Sequence, residues 1–159
     1  MKKLGLFLLL LFNLQAIELH QELPKIEIDS WSSDSLKGRV VVLFYVDPDE
    51  KEMNSKFSNL IQKQNYNKKD FVKVAVINLN ATWKPNFIIE KLLSSKQKEF
   101  PNDIYILDKK SVLVEKWNLK DDSFDVLIFS KEGKLLFYKD KAMSDEDTQK
   151  ALEVIKAHL

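Results

Sequence analysis

The stretch Arg39-Val-Val-Val-Leu-Phe-Tyr-Val46, followed at once by Asp47-Pro-Asp-Glu50, decides the fold. Everything after Arg39 is apolar or aromatic, with no polar alternation. A strand with one wet face would alternate, so this one belongs in the middle of a sheet covered on both sides. The residues behind it read as a helix start. Asp47 is a good N-cap, Pro48 suits the first helical position and Glu50 can close a capping box. Met53, Phe57, Leu60 and Ile61 then recur at helical spacing.

Outward from this junction the pattern repeats. Residues 71–79 alternate (Phe71, Val72, Val74, Val76, Ile77, Leu79) and read as a second strand. Pro85 opens another helix whose apolar face is Phe87, Ile88, Ile89, Leu92 and Leu93, ending before Pro101. Ile104-Tyr-Ile-Leu107 is a short strand stopped by Asp108-Lys-Lys110. Residues 112–117 fit either a strand or a short helix. Residues 126–129 and 135–138 are strands joined by Ser130-Lys-Glu-Gly133, a hairpin signal. A last helix is capped by Ser144, with Asp147 three residues on and an apolar stripe of Ala151, Leu152, Ile155 and Leu159. Upstream, Ile26, Ile28 and Trp31 suggest an edge strand. Strand–helix–strand–helix–strand, then a hairpin and a closing helix, predicts an α/β fold. The specific expectation is a thioredoxin-like three-layer sandwich, a mixed central sheet with helices on both faces.

At the first strand–helix junction the sequence resembles thioredoxin-like and peroxiredoxin-like folds, which place reactive thiols at the head of that helix, where its dipole stabilises a thiolate. Here Asp49 and Glu52 align with the two thiol positions, and the chain has no cysteine at all. A cis-proline that faces the thiols in those families is replaced, in Asp122-Ser-Phe-Asp-Val126, by Phe124 or a neighbour. Thiol–disulfide and cysteine-peroxidase chemistry are therefore excluded.

A narrower resemblance covers nearly the whole chain. Gly38-Arg-Val-Val-Val-Leu-Phe-Tyr-Val46, Pro101-Asn-Asp-Ile-Tyr-Ile-Leu-Asp108, Trp117-Asn-Leu-Lys-Asp-Asp-Ser123, and Phe129-Ser-Lys-Glu-Gly-Lys134 followed by Tyr138-Lys-Asp140 are similar to the YtfJ-like family of bacterial periplasmic proteins. Lys141 stands where that family tends to have glycine, so a different turn is expected there. The resemblance implies fold and compartment, and no activity.

Lys2 and Lys3, the apolar run 4–12 and the small-residue exit at Ala16 describe a secretory signal, with cleavage expected after Ala16 and an uncleaved anchor as the alternative. Removing residues 1–16 from the 159 leaves 143, one thioredoxin-like domain over 17–159. Without Lys2 and Lys3, the 25 basic residues become 23 against 24 acidic ones, and Arg39 is the only arginine. A near-neutral, lysine-based surface argues against nucleic acid, where arginine forks dominate recognition. Any membrane contact is expected only through an uncleaved signal segment.

Three groups are candidates for chemistry. Asp47, Asp49, Glu50 and Glu52 can bind a hard cation or do acid–base work, but the capping reading accounts for them and is preferred. Asn80, Thr82 and Trp83 lie at the C-terminal end of a strand, where open α/β sheets bind ligands. The competing reading there has Asn80 or Thr82 capping a helix and Trp83 packed on the sheet. Trp117, with Asp121 and Asp122, reads as a packing residue before a turn. His20 and His158 sit far apart in sequence and the three glycines form no phosphate loop, so no cofactor and no metal is expected. The candidate binding surface is thus Asp47, Asp49, Glu52, Asn80, Thr82, Trp83 and Phe124. The expected function is a non-catalytic periplasmic binding or accessory protein whose partner is a protein or a small molecule. The alternative is a carboxylate- or metal-dependent enzyme built on residues 47–52.

Overall fold

The computed structural model of the protein describes residues 17–159, so the expected export signal lies outside the described residues. The elements in chain order begin with β1 (Glu27–Ile28), β2 (Trp31–Ser32), β3 (Val40–Val46), α1 (Ser55–Gln64) and β4 (Phe71–Asn78). They continue with α2 (Asn86–Glu99), β5 (Ile104–Asp108), α3 (Val112–Trp117), β6 (Phe124–Phe129), β7 (Leu135–Lys139) and α4 (Asp145–His158).

Five strands form one sheet in the order β5-β4-β3-β6-β7. β3 pairs in parallel with β4 and antiparallel with β6, so the sheet is mixed and every residue of β3 is buried. The alternation of β3 divides the core. Val41, Leu43 and Tyr45 face a cluster closed by Leu113 and Trp117 of α3 and by Ile26 and Ile28. Val40, Val42, Phe44 and Val46 face Phe57 and Ile61 of α1, Ile89 of α2, and Ala151 and Ile155 of α4. The α/β thioredoxin-like sandwich expected from the sequence is the one observed. Among the described residues no helix is long and apolar enough to cross a membrane.

Three local expectations are corrected. α1 begins at Ser55, well after Pro48, for reasons given with the site below. Residues 26–32 are not an edge strand of the main sheet. They form a two-residue antiparallel ladder, Glu27 opposite Ser32 and Ile28 opposite Trp31, turned by Asp29 at φ +51°. Its job is to plug the α3 face with Ile26 and Ile28. The third correction concerns α2, where only Ile89 is buried and Phe87, Ile88 and Leu92 are exposed. The ambiguous stretch 112–117 is helical: Leu113 and Trp117 are buried while Glu115 between them is exposed, whereas a strand would put all three on one face.

Other local signals hold. The Ser130–Gly133 turn closes the β6–β7 hairpin with Gly133 at φ +85°. Ser144 Oγ accepts from the Asp147 amide at 3.0 Å while Asp147 Oδ2 accepts from the Ser144 amide at 2.9 Å, a complete capping box. Ser144→Ala is expected to cost about 1 kcal/mol in urea unfolding, whereas a neutral result would show that the cap is not limiting. Lys141 adopts φ +64°, the left-handed region that suits glycine, so the turn keeps a glycine-type shape without the glycine. Lys141→Gly is therefore expected to stabilise the fold by about 1 kcal/mol, relief of backbone strain outweighing the extra freedom of the unfolded chain.

Candidate functional site

The C-terminal ends of β3 and β4 and the start of β6 meet at one edge of the sheet, and this positions most of the expected residues. The chain leaving β3 does not enter a helix at once. Asp47 Oδ1 accepts from the Asp49 amide at 2.7 Å, and the Glu50 amide donates to the Asp47 carbonyl at 3.0 Å. Two further turns follow, Met53 to Glu50 and Ser55 to Glu52. The capping residues at Asp47 thus make a local turn that does not propagate. Residues 49–52 are all charged and bury nothing, so a helix there would gain no tertiary support. The helix begins only where Phe57 and Ile61 reach the sheet.

Asn54, at the N-cap position, makes no cap hydrogen bond. It is buried and ties the site together instead. Its Nδ2 donates to the carbonyls of Phe124 (3.4 Å) and Lys141 (3.0 Å), and its Oδ1 accepts from the Met143 amide at 2.9 Å. Sequence reading missed this residue, because its partners lie 70 or more positions away.

Asp49 and Thr82 are brought together: Thr82 Oγ1 donates to Asp49 Oδ2 at 2.8 Å, and Asp49 Oδ1 forms an ion pair with Lys84. Thr82 Oγ1 also accepts from the Lys84 amide at 3.2 Å, so it supports a turn and caps no helix. Trp83 does not pack on the sheet; it is 85% exposed. Asn80 turns the other way, donating through Nδ2 to Ser111 Oγ at 3.3 Å. Glu52 is exposed beside Lys51. Phe124 is buried edge-on against Phe44, with ring centroids 5.4 Å apart at 73°. At the site where a facing cis-proline would sit there is instead an aromatic floor, and no described residue has a cis peptide bond.

Asp47 is the perturbed carboxylate of the turn. It is buried, and burial together with the nearby Asp122 and Glu50 carboxylates pushes its carboxyl up from 3.8 to about 6. Among the described residues no three His, Asp or Glu side chains converge where they could hold a metal ion.

Buried polar residues outside the expected set complete this end of the sheet. Asn78 donates to Asp121 Oδ1 at 2.7 Å and accepts from Ser111 Oγ at 3.0 Å. On the α3 face, Tyr45 donates to Asp108 Oδ2 at 3.2 Å, and Tyr138 donates to Asp125 Oδ1 at 2.7 Å. A polar residue inside an apolar strand, as in Phe124-Asp-Val-Leu-Ile-Phe129, was the available signal for Asp125. Trp117, read as a packing residue, is buried and donates Nε1–H to the Pro24 carbonyl at 2.7 Å.

Beside the turn, between α1 and α2, a cleft of about 580 Å³ opens over the sheet. Phe44, Val46, Ile77 and Phe124 floor it near the Asp47 end, and Glu52 and Lys84 stand at its mouth.

Comparison with known proteins fits this geometry. An uncharacterized protein of Haemophilus influenzae is 22% identical over 157 residues, covering 87% of this chain and 85% of its own length. The Escherichia coli K12 protein called Uncharacterized protein YtfJ is 24% identical over 130 residues, covering 80% and 71%. Among solved structures, one provisionally described as the thiol:disulfide interchange protein DsbE of Chlorobium tepidum superposes with a TM-score of 0.63 at 16% identity, covering 90% of this chain and 99% of that one. Residues 14–158 match the family model described as "Bacterial protein of unknown function (YtfJ_HI0045)", and the chain belongs to that family.

Proposed function

We propose that the protein is an exported, non-catalytic binding or accessory protein that uses the thioredoxin-like edge around Asp49, Thr82, Trp83 and Phe124 to hold a periplasmic partner. One observation carries this reading. At the edge where a thiol:disulfide interchange protein would hold its reactive sulfurs, this chain has Asp49 engaged by Thr82 and Lys84, and beside it an open cleft and the exposed Trp83. Reactive groups have been replaced by satisfied ones, while the accessible surface remains. Export is supported by Lys2, Lys3 and the apolar run 4–12.

Two measurements test this. Intact mass of the protein from a periplasmic extract is expected to show a chain beginning near Ile17, and full-length protein confined to membranes would refute cleavage in favour of the uncleaved anchor. A photo-crosslinking residue at Trp83, in living cells, is expected to capture a discrete partner that the same residue at exposed Glu153 on α4 does not. Identical patterns from both positions would remove the assignment of this edge.

The enzyme reading has one observation in its favour, the Asp47 carboxyl at about 6, a value suited to acid–base work near neutrality. Against it, Asp47 Oδ1 is engaged by the Asp49 amide, and the aligned thiol position at Asp49 is held in an ion pair with Lys84. The binding reading is therefore the stronger.

A further inference from the structure

The cleft between α1 and α2 has unlike walls. Its floor is Phe44, Ala75 and Ile77, and its α2 wall is Ile89, Leu92 and Leu93 followed by the polar Ser95, Lys96 and Glu99. The α1 wall carries Ser58, Asn59 and Gln62. From Lys73 to Ile77 the β4 floor runs four residues, about 13 Å at strand spacing. At about 580 Å³ the space lies within the range of small-ligand sites.

One end is marked by a buried cation. Lys73 points from the middle of the sheet into the cleft with its side chain 10% exposed. Its ammonium lies 2.8 Å from Asp103 Oδ2 and 3.2 Å from Gln62 Oε1, and 5.1 Å from the centre of the Phe100 ring. The contact with Asp103 is a close, nearly buried ion pair. An ammonium has three donors, and Asp103 and Gln62 take two of them, so Lys73 keeps one at the inner end of the cleft. Lys96 approaches the same Phe100 ring at 5.3 Å, and Tyr105 lines the same end.

These features discriminate between occupants. An extended peptide needs partners for its backbone N–H and C=O groups, and burying them unpaired is costly. The floor offers none, because β4 is hydrogen-bonded on both sides, to β3 and to β5. The walls offer only scattered side chains, Ser55, Ser58 and Asn59 on α1 and Ser95, Lys96 and Glu99 on α2, and no run of backbone partners, while Gln62 is already engaged by Lys73. A methylene chain has no such groups to satisfy.

We propose that this cleft binds a single straight acyl chain, its carbonyl oxygen accepting from Lys73 and its methylenes lying along Ala75 and Ile77 toward Phe124. The proposal rests on the reading of the protein as a binding protein and names the ligand class of the cleft beside its edge. Carboxylate and neutral ester heads share this chemistry, and the test separates them.

The experiment is calorimetric titration of the chain from Ile17 onward with dodecanoate, tetradecanoate and hexadecanoate, and in parallel with monoacylglycerols of the same lengths. Affinity is expected to rise about fourfold for each added methylene until the floor is covered, the factor corresponding to ~0.8 kcal/mol per buried CH₂. Ala75→Phe grows into open cleft space and is expected to weaken binding at least tenfold, about two methylenes' worth of lost burial, with an unchanged melting temperature. The paired variant Lys73→Met with Asp103→Asn leaves no charge unpaired and is expected to abolish any preference for the carboxylate series. Three outcomes overturn the proposal: no binding in either series, affinity independent of chain length, or folded Ala75→Phe that binds as tightly. An unacylated peptide whose binding is sensitive to Ala75→Phe, with both acyl series silent, would reassign the cleft to peptides. Failure here with successful capture at Trp83 would remove the ligand class and leave the binding-protein reading standing.

Discussion

Leu43→Ala is expected to lower the unfolding free energy by about 2–5 kcal/mol, a large part of the stability of a domain this size. Leu43 sits at the centre of β3 with no exposure, opposite Val74 of β4 and Leu127 of β6. Both neighbours are themselves fully buried. Truncation removes methyl groups from a site fenced by two hydrogen-bonded strands, so the walls cannot collapse to refill the space. That is the situation in which the cavity contribution is largest. Urea unfolding with an unchanged denaturant slope would show the effect to be on stability alone. A cost within about 0.5 kcal/mol, like that of an exposed substitution, would contradict the central position of β3.

The same residue shows why the frame of the fold was readable. The apolar run 40–46 has no alternation to lose, and only a position buried on both faces explains it. Ser144 with Asp147 was readable for a similar reason, since a capping box is closed within four residues. The start of α1 was not. Asp47, Pro48 and Glu50 satisfy the local rules for a helix start, but the same hydrogen bonds also make a lone turn. What separates the two is burial further along, at Phe57, and the long-range ties of Asn54. The site divides the same way. That Asn80, Thr82 and Trp83 lie at a strand end followed from element order, but the Asp49–Thr82 contact joins residues 33 positions apart and leaves no local trace. The apolar face of α2 misled in the opposite direction. Its spacing promised a helix pressed on the sheet, whereas the structure holds Leu92 and Leu93 at the wall of an open cleft.

The second large effect is an unusual dependence on acidity: the protein is expected to be more stable at pH 4.5 than at pH 7.5. Burial pushes the Asp125 carboxyl up from 3.8 to about 6, outweighing the Tyr138 hydrogen bond that pulls it down. The Lys120 backbone N–H pulls the same way as Tyr138, and burial outweighs both. Asp47 is raised to about 6 by burial and by Asp122 and Glu50. For both groups the folded state binds protons more tightly than the unfolded one. Their contribution to stability is therefore fully present below 3.8 and is lost as pH rises through about 6. Each such shift corresponds to roughly 3 kcal/mol. Asp145 and Asp147 act in the opposite sense, held below the ordinary range by Lys56 and by the Ser144 amide respectively, so their contribution disappears only as pH falls below the ordinary carboxylate range. The optimum should consequently lie at about pH 4–5, below the usual maximum for globular proteins. Asp125→Asn keeps an acceptor for Tyr138 and removes the charge. It is expected to raise stability at pH 7.5 and to reduce the gain between pH 7.5 and 4.5 by about half, since one of two equal shifts is gone. Denaturant unfolding at the two pH values reads both effects. Stability that is flat or falls on acidification over this interval would mean that Asp47 and Asp125 are ionised in the folded protein without penalty, through partners other than those their surroundings provide.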